Sequence, residues 1–599
     1  MNATVLPERD FDQALARWVR QRSGSDLLAL AAGAVSQAEA QGHVRCDLAA
    51  DAGFSAQEIE ALRAQAWVGK GEAFAPFVCA DAANLYSWRN WFHETRLAQA
   101  LRARAAARAL PLDARTLAAD VNELFAGMDA KSTHWQRAAV AAVPGARVFV
   151  LTGGPGTGKT TTVLRMLLML LRHAQACGLP AHPAIALAAP TGKAAQRLSE
   201  SVAREAGRLE SMLAGDSAVV PLLKYVASTP AQTLHRLLGF NARTGENGFD
   251  ADAPLPADIV IADEASMIDL AMMRRLFDAL RPDAVLILLG DPAQLYAVEA
   301  GSVLGDIVGS VPENRVPQAL AKHLSAALGT APRALDAPPP LAGQVLTLEH
   351  SFRAGKDLQS ALDALRSGDG EWVERILVAD GGDPDWMRCD DEAQLRANIA
   401  AWLAAHESMF ARLMRPDIEP AEALRVLREA QILCALRDGP FGAEGVNARV
   451  TRRLAARFGF DAGEAWYHGR PVIVTRNDYA RGLFNGDVGI ALDRGDGLRV
   501  WFDAGDASGP RSFSPRALPA HETAWAITIH RSQGSEYDRV AVLLPPDAQH
   551  RILSRELVYT AVSRARAGAT LWSSADSLRA AVTQPVMRRS GLGERLIVA

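Results

Sequence analysis

The sequence holds little cysteine and almost no net charge. Five cysteines, Cys46, Cys79, Cys177, Cys389 and Cys434, lie far apart in 599 residues with no CxxC pair. That spacing excludes a zinc ribbon, an iron–sulfur cluster and a disulfide framework, and it fits a reducing compartment. The formal net charge is only −4, so no global basic field advertises nucleic acid, and any such site must be local. Long apolar runs are missing as well. The greasiest, Met166 to Leu171, is closed by Arg165 and Arg172 and is far too short to span a bilayer. The N-terminus lacks the basic-then-apolar pattern of a signal segment. A soluble, cytoplasmic protein is expected.

What is present suits large cores. Hydrophobic residues make up 49% of the chain, and the length suggests about three or four domains. Residues 1–115 are rich in Ala, Leu and Arg and read as helical, with Ser55 and Glu58 at capping-box spacing. In "LYSWRNWFHETRLAQALRARAAARAL", aromatics including Tyr86, Trp88, Trp91 and Phe92 precede a basic helix. Two readings stand: a small helical domain with a solvated arginine face, and a docking surface for a protein partner or DNA. From Arg147 the texture changes to short apolar runs, "RVFVLT", "AIALAA", "DIVIA" and "AVLILLG", with helix-length segments between them. Such runs predict parallel strands buried on both faces. "DAPPPLAG" (336–343) reads as a linker, and "QILCAL", "PVIVT" and "VAVLLP" predict a second α/β block after it. Within that block, Asn485-Gly486 and Asp496-Gly497 are hairpin-turn dipeptides, which predict a small antiparallel β insertion at about 480–520.

The first block carries the chemistry. Gly153, Gly158, Lys159 and Thr160 fit GxxxxGK[ST] between a predicted strand and a predicted helix. The loop Gly153, Gly154, Pro155, Gly156, Thr157, Gly158, Lys159, Thr160, Thr161 can turn successive N–H groups towards phosphates at a positive helix end. Lys159 then reaches the β and γ phosphates, and Thr160 offers Mg²⁺ a hydroxyl. Asp263 and Glu264 end the strand "DIVIA", where the first can hold Mg²⁺ and the second can orient and deprotonate the attacking water. These residues predict magnesium-assisted hydrolysis of a nucleoside triphosphate. Gln136, just before the first strand, is placed to read an adenine edge. Gln294 in "LLGDPAQL" follows another strand and can sense the γ-phosphate. Arg353 and Arg564 in the second block can neutralise transition-state charge across a cleft, although no spacing rule selects them.

"GGPGTGKTTT", "APTGKAAQRL", "DEAS", "LLGDPAQL", "LEHSFRA", "TIHRSQGSEYD" and "YTAVSRAR" occur in the order of the motifs of superfamily 1 helicases. Together they resemble the 5′→3′ branch that contains the RecD family. "GRPVIVTRNDYARGLFNGDVG" (469–489) and the N-terminal "QGHVRCDL" and "LYSWRNWFHETRLA" are similar to that family too, so the resemblance covers nearly the whole chain. It implies an α/β fold: an N-terminal helical partner-docking domain (1–115), then two tandem RecA-like P-loop domains with parallel sheets (116–342 and 343–599). The small β insertion would be SH3-like. It further implies ATP between the motor domains with Mg²⁺ on Thr160 and Asp263, and γ-phosphate roles for Arg353 and Arg564. Single-stranded DNA would cross their tops, with Thr191, His235, His530 and Gln533 as DNA-contacting or coupling residues. The implied partners are single-stranded and duplex-end DNA and RecB-like and RecC-like subunits of a heterotrimer. The implied task is ATP-dependent unwinding in double-strand-break repair. No acidic cluster matches the RecB-type nuclease, so degradation by such an exodeoxyribonuclease V complex is expected from another subunit. A stand-alone RecD-like helicase and a non-translocating DNA-binding P-loop ATPase switch are the alternatives.

Overall fold

A computed structural model describes residues 9–597 except 82, 213–218, 242–243, 331, 353–354, 379–384, 496 and 504–508. Two parallel sheets organise it. The first runs Val345–Leu348, Val148–Gly153, Val285–Gly290, Ile259–Ala262, Ile185–Ala189, Ala231–Thr233 from edge to edge, every neighbouring pair parallel. The second runs Trp386–Arg388, Ala565–Ser573, Tyr537–Leu543, Ala430–Cys434, Ala526–Thr528, again parallel throughout. The period of two along each strand explains the continuous apolar runs. Phe149, Leu151, Ile259 and Ile261 enter the core on one face of the first sheet, while Val148, Val150 and Val260 enter the core on the other. Ile432 and Ala541 face one core of the second sheet and Leu433 and Val540 the opposite one. The four runs of the first block and "QILCAL" therefore form the strands their composition predicts.

Several expectations change in detail. The proline-rich stretch 336–343 does not separate the two sheets. Leu341 and Ala342 are buried, and the chain then returns to pair Val345–Leu348 with Val148–Gly153. The first sheet thus runs past the expected boundary at 342/343. "PVIVT" is no strand of the second parallel sheet. Pro471–Val474 instead pairs antiparallel with Val488–Asp493 and His521–Thr523, inside a five-stranded sheet that also holds Leu498–Phe502 and Arg511–Phe513. The β insertion therefore spans residues 471–523 rather than 480–520. It has its own small core of Val472, Val474, Leu483, Ala491, Val500 and Phe502. Asn485-Gly486 closes no two-residue hairpin, because its flanking strands end at Val474 and start at Val488. It makes the last turn of a longer loop, with Gly486 N–H donating to Val474 O. Asp496 lies outside the described residues.

In the N-terminal region, Ser55 and Glu58 form the expected capping box. Four strands of two to four residues also pair there into a small sheet, Cys46–Asp47, Asn84–Ser87, Phe77–Val78, Val68–Gly69. Elements that short leave no periodicity to read. The helix Trp88–Ala106 buries Leu97, Leu101 and Ala105 against Val148 and Val150 of the first sheet. The chain end comes to the same place. After Ala575–Thr583 it crosses back, and Leu592 and Leu596 of the helix Leu592–Ile597 join that core. All five cysteines are buried and free of disulfides. No described helix is long and apolar enough to cross a membrane.

Candidate nucleotide and DNA site

The glycine-rich loop follows the central strand Val148–Gly153 and opens the helix Lys159–Arg172, so Thr160 and Thr161 stand in that helix's first turn. Gly158 has φ 81°, and a Cβ there would meet the Gln136 amide nitrogen at 2.4 Å. The left-handed φ favours glycine here, and any Cβ would displace the Gln136 amide. Lys159 Nζ donates to the carbonyls of Gly153 and Gly154 at 2.6 and 3.1 Å. Thr157 is buried, and its hydroxyl donates to Gly154 O. The loop is thus closed over its own lysine, with Gly156 O accepting from Phe352 N–H and Pro155 O from Ser351 Oγ. Arg353, the next residue, lies outside the described residues.

Gln136 sits in the helix His134–Ala142 and is buried, with Nε2 donating to Thr157 O at 2.8 Å. Its Oε1 is buried with no protein partner. Beside it a cleft of about 610 Å³ is lined by Trp135, Thr157, Leu348, Glu349 and His350 among others. An unsatisfied acceptor against a cleft of this size suits a ligand that brings its own N–H donors, as an adenine edge does.

Asp263 and Glu264 follow the strand Ile259–Ala262. Asp263 N–H donates to Ala188 O and Asp263 Oδ1 accepts from Glu264 N–H. Burial, then the neighbouring Glu264 charge, pushes the Asp263 carboxyl above the usual carboxylate range, with Lys159 pulling the other way. A carboxyl so placed is primed for a cation. Glu264 has φ 52°, and among the described residues only it and Asn314 hold a non-glycine backbone in the left-handed region. Strain of this kind persists where the surroundings fix a side-chain direction.

The two sheets meet over this loop. Gln294 and Arg564, both buried, come from opposite sides and touch: Arg564 Nη2 donates to Gln294 Oε1 at 2.9 Å. Three residues that sequence reasoning did not single out complete the contact. Asp291 Oδ2 accepts from Gln294 Nε2 at 3.1 Å and from the Tyr559 hydroxyl at 3.0 Å. Thr560 Oγ1 accepts from Leu295 N–H at 2.8 Å. All three lie within "LLGDPAQL" and "YTAVSRAR", so the motifs were the signal, but nothing in the spacing shows that the two stretches meet.

The four residues expected to contact DNA follow carboxyl ends of strands. Thr191 comes after Ile185–Ala189, where its hydroxyl accepts from Ala194 N–H at the start of Gly192–Met212. His235 follows Ala231–Thr233 and is exposed, its ring edge-on to Phe240. His530 and Gln533 follow Ala526–Thr528, with His530 exposed and Gln533 Nε2 near Leu295 O at 3.4 Å. Neither histidine is a satisfied core residue. The carboxyl edge of a parallel sheet is where open α/β folds bind ligands, and Gln533 ties that edge to the segment carrying Gln294. Nearby, Lys193 Nζ donates to Gly486 O of the β insertion and to Ser535 Oγ, both at 2.6 Å.

Comparisons with known proteins agree in extent. A family model described as AAA domain matches residues 136–300, and one described as UvrD-like helicase C-terminal domain matches residues 523–572. The first spans Gln136 to beyond Gln294; the second holds His530, Tyr559 and Arg564. The RecBCD enzyme subunit RecD of Mycolicibacterium smegmatis is 37% identical over 517 residues, 86% of this chain and 82% of that protein. Its counterpart in Haemophilus influenzae is 33% identical over 537 residues, 86% and 80% of the two chains. The ATP-dependent RecD2 DNA helicase of Deinococcus radiodurans is 29% identical over 467 residues, 76% of this chain and 50% of that one.

Proposed function

The chain belongs to the RecD family of RecBCD enzyme subunits, and from that premise we propose that it is an ATP-driven 5′→3′ DNA helicase subunit. It works with RecB-like and RecC-like partners on double-strand DNA ends in the cytoplasm, and the partners dock on residues 1–115. The sheet of residues 471–523 serves as the SH3-like element. This chain spans 82% and 80% of two RecBCD subunits but only 50% of the RecD2 helicase, which favours the subunit over a stand-alone enzyme.

In this reading the nucleotide base enters the cleft beside Gln136, and the phosphates lie on Gly153–Thr161. Lys159 exchanges the carbonyls of Gly153 and Gly154 for phosphate oxygens. Thr160 and Asp263 suit Mg²⁺, since a hydroxyl and a buried carboxyl are the hard oxygen donors it takes. Held there, Mg²⁺ would neutralise charge on the phosphates. Glu264 accepts the proton of the attacking water, Gln294 orients that water, and Arg353 and Arg564 gather charge at the γ-phosphate. DNA runs over the carboxyl edges past Thr191, His235, His530 and Gln533.

The observation that carries the proposal is the contact between Gln294 and Arg564. A static switch can sense its γ-phosphate from one sheet. Here the groups that can sense it belong to two, so gaining and losing the phosphate must alter how the sheets sit. Strand displacement on 5′-tailed, 3′-tailed and blunt duplexes tests this, with Lys159→Gln as the inactive control. ATP-dependent unwinding of the 5′-tailed duplex is expected. Hydrolysis without displacement of any strand would favour a non-translocating ATPase.

A further inference from the structure

Tyr559 lies on the helix Arg555–Val562 of the second sheet domain, yet its hydroxyl points into the first. It is buried, donates to Asp291 Oδ2 at 3.0 Å, and lies 3.2 Å from where a Cβ on Gly154 would stand. The same Asp291 oxygen takes the Nε2 end of Gln294. A carboxylate only accepts, so it can hold the amide by its N–H end alone and must leave Oε1 facing away. Oε1 is where Arg564 now donates. The next residue, Thr560, holds Leu295 N–H, so two consecutive side chains of one domain clamp the Asp291–Leu295 turn of the other.

We propose that Tyr559 is a positioning residue for ATP hydrolysis. Through Asp291 it fixes the Gln294 amide so that Oε1 is free to accept from the attacking water once Arg564 moves to the γ-phosphate. The water-orienting group is thereby set only when the second domain is docked, a second condition on hydrolysis besides delivery of the arginine. Burial and the Asp291 charge hold the Tyr559 phenol well above its ordinary range, so it remains a donor at every working pH. The inference rests on the ATPase reading above.

The test uses the full-length chain, its DNA-stimulated ATPase, and the variants Tyr559→Phe and Asp291→Ala, the second of which leaves neither donor an acceptor. Each should lower kcat about 10- to 100-fold, the scale of one hydrogen bond to a buried carboxylate. Affinity for a fluorescent ADP analogue should stay within about twofold if the two groups act only through the Gln294 amide. The double variant should be no slower than the slower single one, since both remove the same restraint. A purely packing role would lower Tm or ADP affinity and spare kcat, which would overturn the proposal, as would additive losses. If Tyr559→Phe does not fold, Asp291→Ala alone must show the kcat loss at constant affinity. A wild-type chain without DNA-stimulated ATPase overturns the helicase reading itself. A wild type that hydrolyses and a Tyr559→Phe that equals it overturn only this inference.

Discussion

Arg564 Nη2 and Gln294 Oε1, 270 residues apart in sequence, meet at 2.9 Å in the cleft between the two sheets. The guanidinium also donates to Ser563 Oγ at 2.9 Å and Thr560 O at 3.2 Å, so its direction toward Gln294 is fixed from the end of the helix that precedes it. Replacing Arg564 by Ala should leave nucleotide binding intact and slow hydrolysis by about a thousandfold, the usual scale for such an arginine. Single-turnover hydrolysis beside nucleotide titration checks this. Normal hydrolysis with collapsed affinity would make Arg564 a binding residue instead.

Lys193 gives a pH dependence with a definite sign. Its ammonium sits where the first sheet domain, the β insertion and Ser535 meet, and burial, then Arg197, lowers it from 10.5 to about 7. Between those two values the unfolded chain holds a proton that the folded chain has released. This group therefore adds stability as pH rises from about 7 towards 10.5, with a slope of at most about 1.4 kcal/mol per pH unit. Lys193→Met should remove that rise. Urea unfolding of both proteins at pH 7, 8 and 9 checks it: the wild type should gain on the variant with pH. A constant difference would mean that Lys193 stays charged in the folded state.

How much of this was legible in the sequence follows from what is local. Val148–Gly153 and Ile259–Ala262 are buried on both faces, so their apolar runs declare them, and the loop between Gly153 and Lys159 needs no distant residue to be recognised. Pro471–Val474 has the same apolar texture yet pairs in a different sheet, because composition reports burial and not the direction of the partner strand. The stretch 336–343 looked like a linker from its prolines, yet Leu341 and Ala342 fill a core. Asp291 and Tyr559 stand in "LLGDPAQL" and "YTAVSRAR", both of which the sequence shows. Their bond, however, depends on how two domains dock, which no local spacing encodes. The left-handed backbone of Glu264 is equally invisible, since nothing in a carboxylate side chain announces a positive φ.

The chain end supplies a further test. Glu94, fully buried in the helix Trp88–Ala106, accepts from Ser590 Oγ, Gly591 N–H and Arg595 Nε at 2.9 Å each and from Tyr86 OH at 3.2 Å. Val44 N–H donates to Arg589 O close by, and Arg45 pairs with Glu594. One carboxylate thus fastens the last residues of the chain to its N-terminal region. Glu94→Ala strands Arg595 and three further donors, which should cost about 3–5 kcal/mol. Chemical denaturation measures the loss, and limited proteolysis should release the segment after Thr583 first. A variant as stable and as protease-resistant as wild type would show that Leu592 and Leu596 hold the tail without the carboxylate.

Docking of the partner subunits can be tested on the aromatic group of the N-terminal region, once Tyr86 is removed from it. That ring is buried and serves Glu94. The surface that remains is Phe74, 74% exposed and edge-on to Trp88, with Trp88 stacked near Trp91 and Phe92 at its rim. Clustered aromatics are enriched in interfaces, and a central one of this kind costs 2 kcal/mol or more when truncated, about thirtyfold in affinity. Deleting residues 1–115 would be a poor test, because Leu97, Leu101 and Ala105 belong to the core of the first sheet. Phe74→Ser with Phe92→Ser leaves that core untouched. The double variant should keep the DNA-stimulated ATPase of the isolated chain and lose co-purification with RecB-like and RecC-like subunits. Assembly at wild-type affinity would move the docking surface elsewhere, and loss of ATPase with assembly would mean that the patch supports the motor instead.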